Sequence, residues 1–163
     1  MRCYFLRHGI AAEPESWSGS DFDRPLTREG RERMEREAKA IDELGIELDR
    51  IVTSPLLRAK ETAELVAARL GRGVKVIEDD RLAEGFNLER LGAILSSHPD
   101  AKSIMLVGHE PTMSITIGRA IGNASIELKK AALAGIDFGD GAAPSGTLLF
   151  LIPPKVLVAL GKR

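Results

Sequence analysis

Hydrophobic positions along this chain follow two rhythms. Short unbroken apolar runs alternate with longer stretches in which apolar residues recur at helical spacing. RCYFL (2–6), RIVT (50–53), VKVI (74–77) and SIMLV (103–107) are the short runs, and they predict buried strands. Residues 28–44 place Gly30, Met34, Ala38 and Ile41 on one face behind Thr27, a residue type that caps helix starts. Gly30 on that apolar face would let the helix approach the sheet closely. Residues 55–70 repeat Leu56, Ala59, Ala63, Val66, Ala67 and Leu70 and stop at Gly71, a usual helix terminator. Residues 88–97 carry Leu88, Leu91, Ile94 and Leu95, while 112–121 are apolar nearly all round and predict a centrally packed helix. Beyond these, ALAGIDF (132–138) and TLLFLI (147–152) predict two late strands joined by GDGAAPSG, with a short helix after Pro153-Pro154.

This alternation predicts an α/β fold: a three-layer sandwich with a mainly parallel mixed sheet and helices on both faces. A length of 163 residues, without repeats or low-complexity tracts, predicts a single domain over 1–163. The one long irregular stretch is 10–26, rich in Ser, Asp, Glu, Pro and Gly. It follows the first strand directly, so it is expected to form a rim or lid. Trp17, the only tryptophan, is expected to anchor that loop to the core.

Composition narrows the options further. Lys and Arg total 23 against 24 for Asp and Glu, a formal charge of −1, which gives no basic excess for a nucleic-acid partner. Attraction to an anion must therefore come from local placement of cations. No run is long enough to span a bilayer, and the N-terminal run is too short for a signal peptide, so no membrane partner and a cytoplasmic location are expected. The single cysteine, Cys3, lies inside the first apolar run and is expected to be inert core.

Ligands of open α/β sheets bind beyond the carboxyl ends of the strands, so the residues just after each strand matter most. After the first comes Arg7-His8-Gly9; after the second, Thr53-Ser54-Pro55-Leu56-Leu57-Arg58. After the third, at a few residues' distance, comes Arg81-Leu82-Ala83-Glu84-Gly85; after the fourth, Gly108-His109-Glu110-Pro111-Thr112. Ser54-Pro55 reads as a helix cap followed by proline in the first helical position. Arg58 would then lean back over the helix start, where free amides already favour an anion. Glu110 fits as an acid at a helix N-terminus rather than a catalyst. The pattern predicts a pocket for a phosphate-sized dianion. A neutral imidazole is a competent nucleophile toward phosphorus, and guanidinium forks suit the equatorial oxygens of a transferred phosphoryl group. A metal site is the chemical rival of paired histidines, but the two guanidiniums would repel a cation, so neither a metal nor a cofactor is expected.

With Leu-Arg-His-Gly near the N-terminus, Ser-Pro-Leu-Leu-Arg-Ala at the second strand and Gly-His-Glu-Pro late in the chain, the sequence resembles the histidine phosphatase superfamily. Its short length, Arg24-Pro25-Leu26-Thr27, Ala131-Ala132-Leu133-Ala134 and the closing proline-rich segment resemble the SixA-type phosphohistidine phosphatase branch. The resemblance implies a phosphoglycerate-mutase-like sandwich with one antiparallel strand. It implies His8 as nucleophile and Arg7, Arg58 and His109, with His8, as the phosphate pocket. Phosphomonoesterases of the superfamily place an acid after the third strand to protonate an alkoxide, and Glu84 occupies that region here. The expected substrate is a protein phosphohistidine, such as that of a phosphotransfer domain. The alternatives are a small phosphate ester with Glu84 as general acid, and a phosphate-sensing module without turnover. His8 is expected to be neutral for attack and His109 cationic, with the arginines lowering imidazole pKa values and a bound dianion raising them.

Overall fold

The computed structural model describes residues 1–71, 73–140 and 144–162. Six strands form one sheet: β1 (Arg2–Arg7), β2 (Arg50–Thr53), β3 (Lys75–Glu78), β4 (Ser103–Gly108), β5 (Leu133–Asp137) and β6 (Thr147–Ile152). Their spatial order is β3-β2-β4-β1-β5-β6. β1, β2, β3 and β4 pair in parallel, whereas β5 is antiparallel to both β1 and β6. One strand therefore runs against the others in an otherwise parallel sheet.

Side-chain alternation along the central strands builds a core on each face. Cys3 and Phe5 of β1 face one layer, with Ile104 and Leu106 of β4; Tyr4 and Leu6 face the other, with Met105 and Val107. On the first side lie α3 (Leu88–Ser96), through Leu91 and Ile94, and α4 (Thr112–Ala120), through Met113 and Ile117. On the second lie α1 (Arg28–Glu43), α2 (Leu57–Leu70) and α5 (Pro154–Leu160), contributing Met34, Ile41, Ala63, Val66 and Leu157. Helices thus cover both faces, as the strand–helix alternation requires. Cys3 is fully buried in the first core, and burial raises its thiol pKa well above the usual value.

Four sequence expectations change in detail. VKVI was expected to be a buried strand, but β3 is an edge strand with neighbours on one side only, and its side chains stay half-exposed or exposed. The 112–121 helix is not buried all round: Ile115 is 49% exposed, because α4 presses only one face on the sheet. Helix α2 begins at Leu57, not at Pro55, and no side chain caps it. Trp17 is only partly buried, and its indole donates to Ser20 O within loop 10–26, so it ties the loop to itself. Of the GDGAAPSG connection, residues 141–143 lie outside the described residues.

Loop 10–26 is ordered by short-range structure and clamped at its base. It holds two short 3-10 turns, Pro14–Ser16 and Asp21–Asp23, and Ala11 pairs with Leu26 in an antiparallel bridge. Leu26 N donates to Glu61 Oε2 of α2 at 2.7 Å. Thr27 caps α1 as expected, its Oγ1 accepting from Gly30 N at 2.9 Å. Gly30 permits a close approach to the chain just after β1: a Cβ there would stand 2.1 Å from Ile10 O.

Candidate active site

Strands β2, β4 and β1 are adjacent and parallel, so their carboxyl ends share one edge of the sheet. The hydrogen-bond ladder runs one residue past them. His8 N donates to Gly108 O at 3.1 Å, and Ser54 N donates to Val107 O at 3.0 Å. His8, Ser54 and His109 therefore leave the sheet side by side, although they are far apart in sequence.

His8 is 7% exposed, and its Nδ1 lies 2.7 Å from Gly9 O. A carbonyl can only accept, so this contact places the ring proton on Nδ1 and leaves the Nε2 lone pair unprotonated. The backbone beyond the ring is fixed in turn. Gly9 N donates to Thr62 Oγ1 at 3.0 Å, and that hydroxyl donates to Arg58 O at 2.7 Å. Burial lowers the His8 pKa to about 3, helped by the charges of His109, Arg58 and Arg7, with the Gly9 hydrogen bond opposing.

His109 packs against it, the two ring centroids 5.2 Å apart and tilted by 51°. Its Nε2 lies 2.7 Å from Ser54 Oγ, which also accepts from Leu56 N at 3.3 Å. Here the hydroxyl expected to cap α2 serves the histidine instead, and the helix start moves to Leu57. His109 Nδ1 is buried without a hydrogen-bond partner. Burial and then the Arg58 charge lower the His109 pKa to about 4, against an opposing influence from Asp21. In the protein alone both rings are therefore neutral at pH 7. A cationic His109 requires negative charge from outside.

Arg58, also 7% exposed, is the second residue of α2. Its Nη1 donates to Asp21 O at 2.9 Å and its Nη2 to Asp21 Oδ2 at 3.2 Å, while Nε is buried without a partner. Asp21 is steadied by Arg24, whose Nε donates to Oδ1 at 3.0 Å and whose Nη1 donates to Ala12 O at 2.6 Å. Against the effect of burial, the Arg24 hydrogen bond and the Arg58 charge hold the Asp21 carboxyl below its usual pKa. Arg7 follows Cys3 and Phe5 onto the α3–α4 side, where Nη1 donates to Leu128 O at 3.0 Å and Nε is buried without a partner. Burial lowers its pKa and the charge of Glu110 opposes this. Glu110 itself accepts from Ser114 N and Oγ at 2.8 and 2.6 Å, the helix-terminal role its position predicts.

A cavity of about 620 Å³ opens at this edge, with Arg58 and His109 on its wall beside Asp21, Phe22, Asp80 and Glu84. His8 and Arg7 do not line it; His8 stands beside His109, one ring away. The structure thus gathers Arg7, His8, Arg58 and His109 within electrostatic reach of one another and sets Glu84 apart on the exposed rim. The Glu84 backbone carbonyl accepts from Arg90, but its carboxylate makes no hydrogen bond or ion pair among the described residues. No group of three or more His, Cys, Asp or Glu among the described residues could hold a metal ion. Sequence reasoning missed Asp21, Arg24, Ser54 and Thr62 as partners of the site. Only the acidic content of loop 10–26 hinted at the first.

Comparison with known proteins agrees with this fold. The model of the histidine phosphatase superfamily (branch 1) matches residues 3–89. An uncharacterized protein of Picosynechococcus sp. is 38% identical over 97% of this chain and 99% of its own length. Among solved structures, the protein histidine phosphatase SixA complexed with tungstate superposes with a TM-score of 0.85, at 24% identity over 96% of this chain and 99% of that one. A structure from Agrobacterium tumefaciens assigned as a phosphohistidine phosphatase SixA gives 0.80, at 26% identity over 94% and 97%. The alpha-ribazole phosphatase from Shigella flexneri gives 0.76, at 21% identity over 94% and 97%. The chain belongs to the histidine phosphatase superfamily and is a phosphatase. Its fold is the phosphoglycerate-mutase-like sandwich that the SixA-type enzymes share.

Proposed function

We propose that the chain is a phosphohistidine phosphatase that removes a phosphoryl group from a protein histidine through a covalent intermediate on His8. One observation carries the reading: the three cationic or imidazole side chains whose charges act on His8 each keep one ring or guanidinium nitrogen, Arg7 Nε, Arg58 Nε and His109 Nδ1, buried without a hydrogen-bond partner. Buried polar nitrogens are normally paired, and three unpaired ones around one nucleophile fit the oxygens of a single tetrahedral anion.

In this scheme Nε2 of His8 attacks phosphorus as the bond to the substrate nitrogen breaks. The bound dianion raises the His109 pKa, and the cationic ring with the two guanidiniums holds the equatorial oxygens. The bond's electron pair goes to the departing imidazole nitrogen, which takes up a proton from solvent water. Water then attacks phospho-His8, the Nε2–P bond breaks, and phosphate leaves with His8 again neutral. Imidazole leaves phosphorus more readily than an alkoxide does, so no dedicated acid is required. Among the described residues no inserted domain covers the carboxyl edge of the sheet, which suits a phosphoryl group carried on a protein surface.

Glu84 supports a second reading. Its carboxylate has no partner among the described residues and lies on the cavity wall, where it could protonate an alkoxide leaving group of a small phosphate ester. Side-by-side turnover of a histidine-phosphorylated protein and a panel of phosphate esters decides between the two. The phosphohistidine reading expects kcat/KM highest on the protein and changed no more than a fewfold by Glu84→Gln. A large loss in that variant confined to esters, with esters the better substrates, would establish the second.

A further inference from the structure

The phosphohistidine reading can be taken further, to the surface that presents the phosphoryl group. The cavity combines one buried cation, Arg58, with an exposed acidic rim. Its wall carries Arg58 and His109 against four acids: Asp21, Asp80, Glu84 and Glu110. Glu110 is occupied by Ser114. Asp80 and Glu84 are exposed, and neither carboxylate has a hydrogen-bond or ion-pair partner among the described residues. Asp21 is the third rim carboxylate: its Oδ2 accepts from Arg58 Nη2, and its backbone carbonyl from Nη1. A phosphoryl dianion at the unpaired Arg58 Nε shares that cation's charge with Asp21, which keeps its hydrogen bond from Arg24. Binding the reacting group therefore increases the unbalanced negative charge at the mouth.

A carrier with further negative charge beside its phosphoryl group would be repelled there, whereas one with adjacent cations would neutralise all three carboxylates. Phe22, 49% exposed on the same rim, offers a face on which the stem of a lysine or the plane of an arginine can lie. We propose that the cavity mouth is a docking surface for a basic protein segment, in which the phosphohistidine is flanked by lysine or arginine. The inner cations select the phosphoryl group, and the rim selects its carrier. Acidic carriers and polyphosphates are rejected by the same charges.

The test compares two peptides of one sequence, each with a single phosphohistidine, flanked by lysines in one and by glutamates in the other. At low ionic strength kcat/KM is expected to favour the lysine peptide by about tenfold, and the difference should fade toward parity near 0.5 M salt. Asp80→Lys should lower kcat/KM on the lysine peptide and raise it on the glutamate peptide. Loss of folded protein would lower both, so it cannot imitate that pair of changes. Equal turnover of the two peptides, or a preference that salt leaves intact, overturns the docking surface and leaves the phosphohistidine reading standing. No turnover of either peptide alongside ready hydrolysis of phosphate esters overturns both.

Discussion

Arg58 answers to two partners. Its Nη groups are held by Asp21, its Nε is buried without a partner, and its charge acts on both imidazoles. Only a planar fork can meet both directions, so Arg58→Lys should lose on the order of 100-fold in kcat/KM despite keeping its charge. Turnover within a fewfold of normal would reduce Arg58 to a helix residue that fixes the loop. Asp21→Asn removes the carboxylate that competes for Arg58, and inorganic phosphate should then bind about fivefold tighter by calorimetry. Unchanged affinity would mean that Asp21 only orders loop 10–26. The lowered imidazole pKa values set the pH dependence. Since His8 must be neutral to attack and ionises near 3 in the protein alone, the acid limb of kcat/KM that belongs to it should lie near pH 3 once the substrate's own phosphate ionisation near 6 is allowed for. A limb near pH 6.5 belonging to His8 would contradict the burial described for it.

Among the elements, α1 shows how the fold sets up the site from a distance. Gly30 lets this helix lie against Ile10 O, two residues past His8, and the obstacle there is backbone that cannot swing aside. Gly30→Ala should therefore destabilise the protein by about 2–3 kcal/mol in denaturant titration and depress turnover by shifting residues 8–10. A neutral result would mean that the helix moves freely. This contact also shows where sequence reading stops. The apolar face of α1 and the small residue on it were legible, but the partner was expected to be the sheet and is the chain leaving it. Strands β1 to β6 and helices α1 to α4 were legible in the spacing of apolar residues because burial on one or both faces enforces that spacing; α5 was announced by Pro153-Pro154, and the 3-10 turns left no such signal. What escaped was governed by contacts between distant segments. Ser54 looked like a helix cap until His109 Nε2, 55 positions away, was placed beside its hydroxyl. Helical spacing offers Arg58 either Glu61 or Glu64 as a partner, yet Glu61 accepts from Leu26 N and Arg31, and Arg58 turns to Asp21. Local propensity cannot rank such partners, since the choice depends on how loop 10–26 folds back over α2. The Arg-His-Gly, Ser-Pro-Leu-Leu-Arg and Gly-His-Glu segments stood out because they all fall at carboxyl ends of parallel strands. The chain order β1, β2, β4 hid that these ends are immediate neighbours.

At the scale of the whole molecule, buried titrating groups pull stability in opposite directions. His8 and His109 are kept neutral in the fold and protonate in the unfolded chain below about pH 6.5, so acidification through that range destabilises by about 1.4 kcal/mol per pH unit for each ring. Glu37 of α1 works the other way. It is fully buried, neither carboxylate oxygen has a hydrogen-bond partner, and burial raises its pKa to about 8. The fold retains a proton that the unfolded chain releases above about pH 4.5, so Glu37 destabilises progressively as pH rises to about 8. Two rings outweigh one carboxyl below pH 6.5, and the carboxyl acts alone above it. Unfolding free energy should therefore peak near pH 6.5. Glu37→Met should stabilise by about 1–3 kcal/mol at pH 8 and flatten the alkaline side. Denaturation series across pH check this; a fall above neutrality that survives the substitution would assign it to other groups.

The central claim is that the phosphoryl group passes through Nε2 of His8. Brief mixing with a histidine-phosphorylated protein, an alkaline quench that preserves phosphoramidates, and peptide mass spectrometry with phosphorus NMR read this directly. The expected result is one phosphoryl group on the peptide containing His8, bonded to Nε2, and its absence together with turnover in His8→Ala. Undiminished hydrolysis by His8→Ala, or a phosphoryl group trapped on any other residue, would contradict the account.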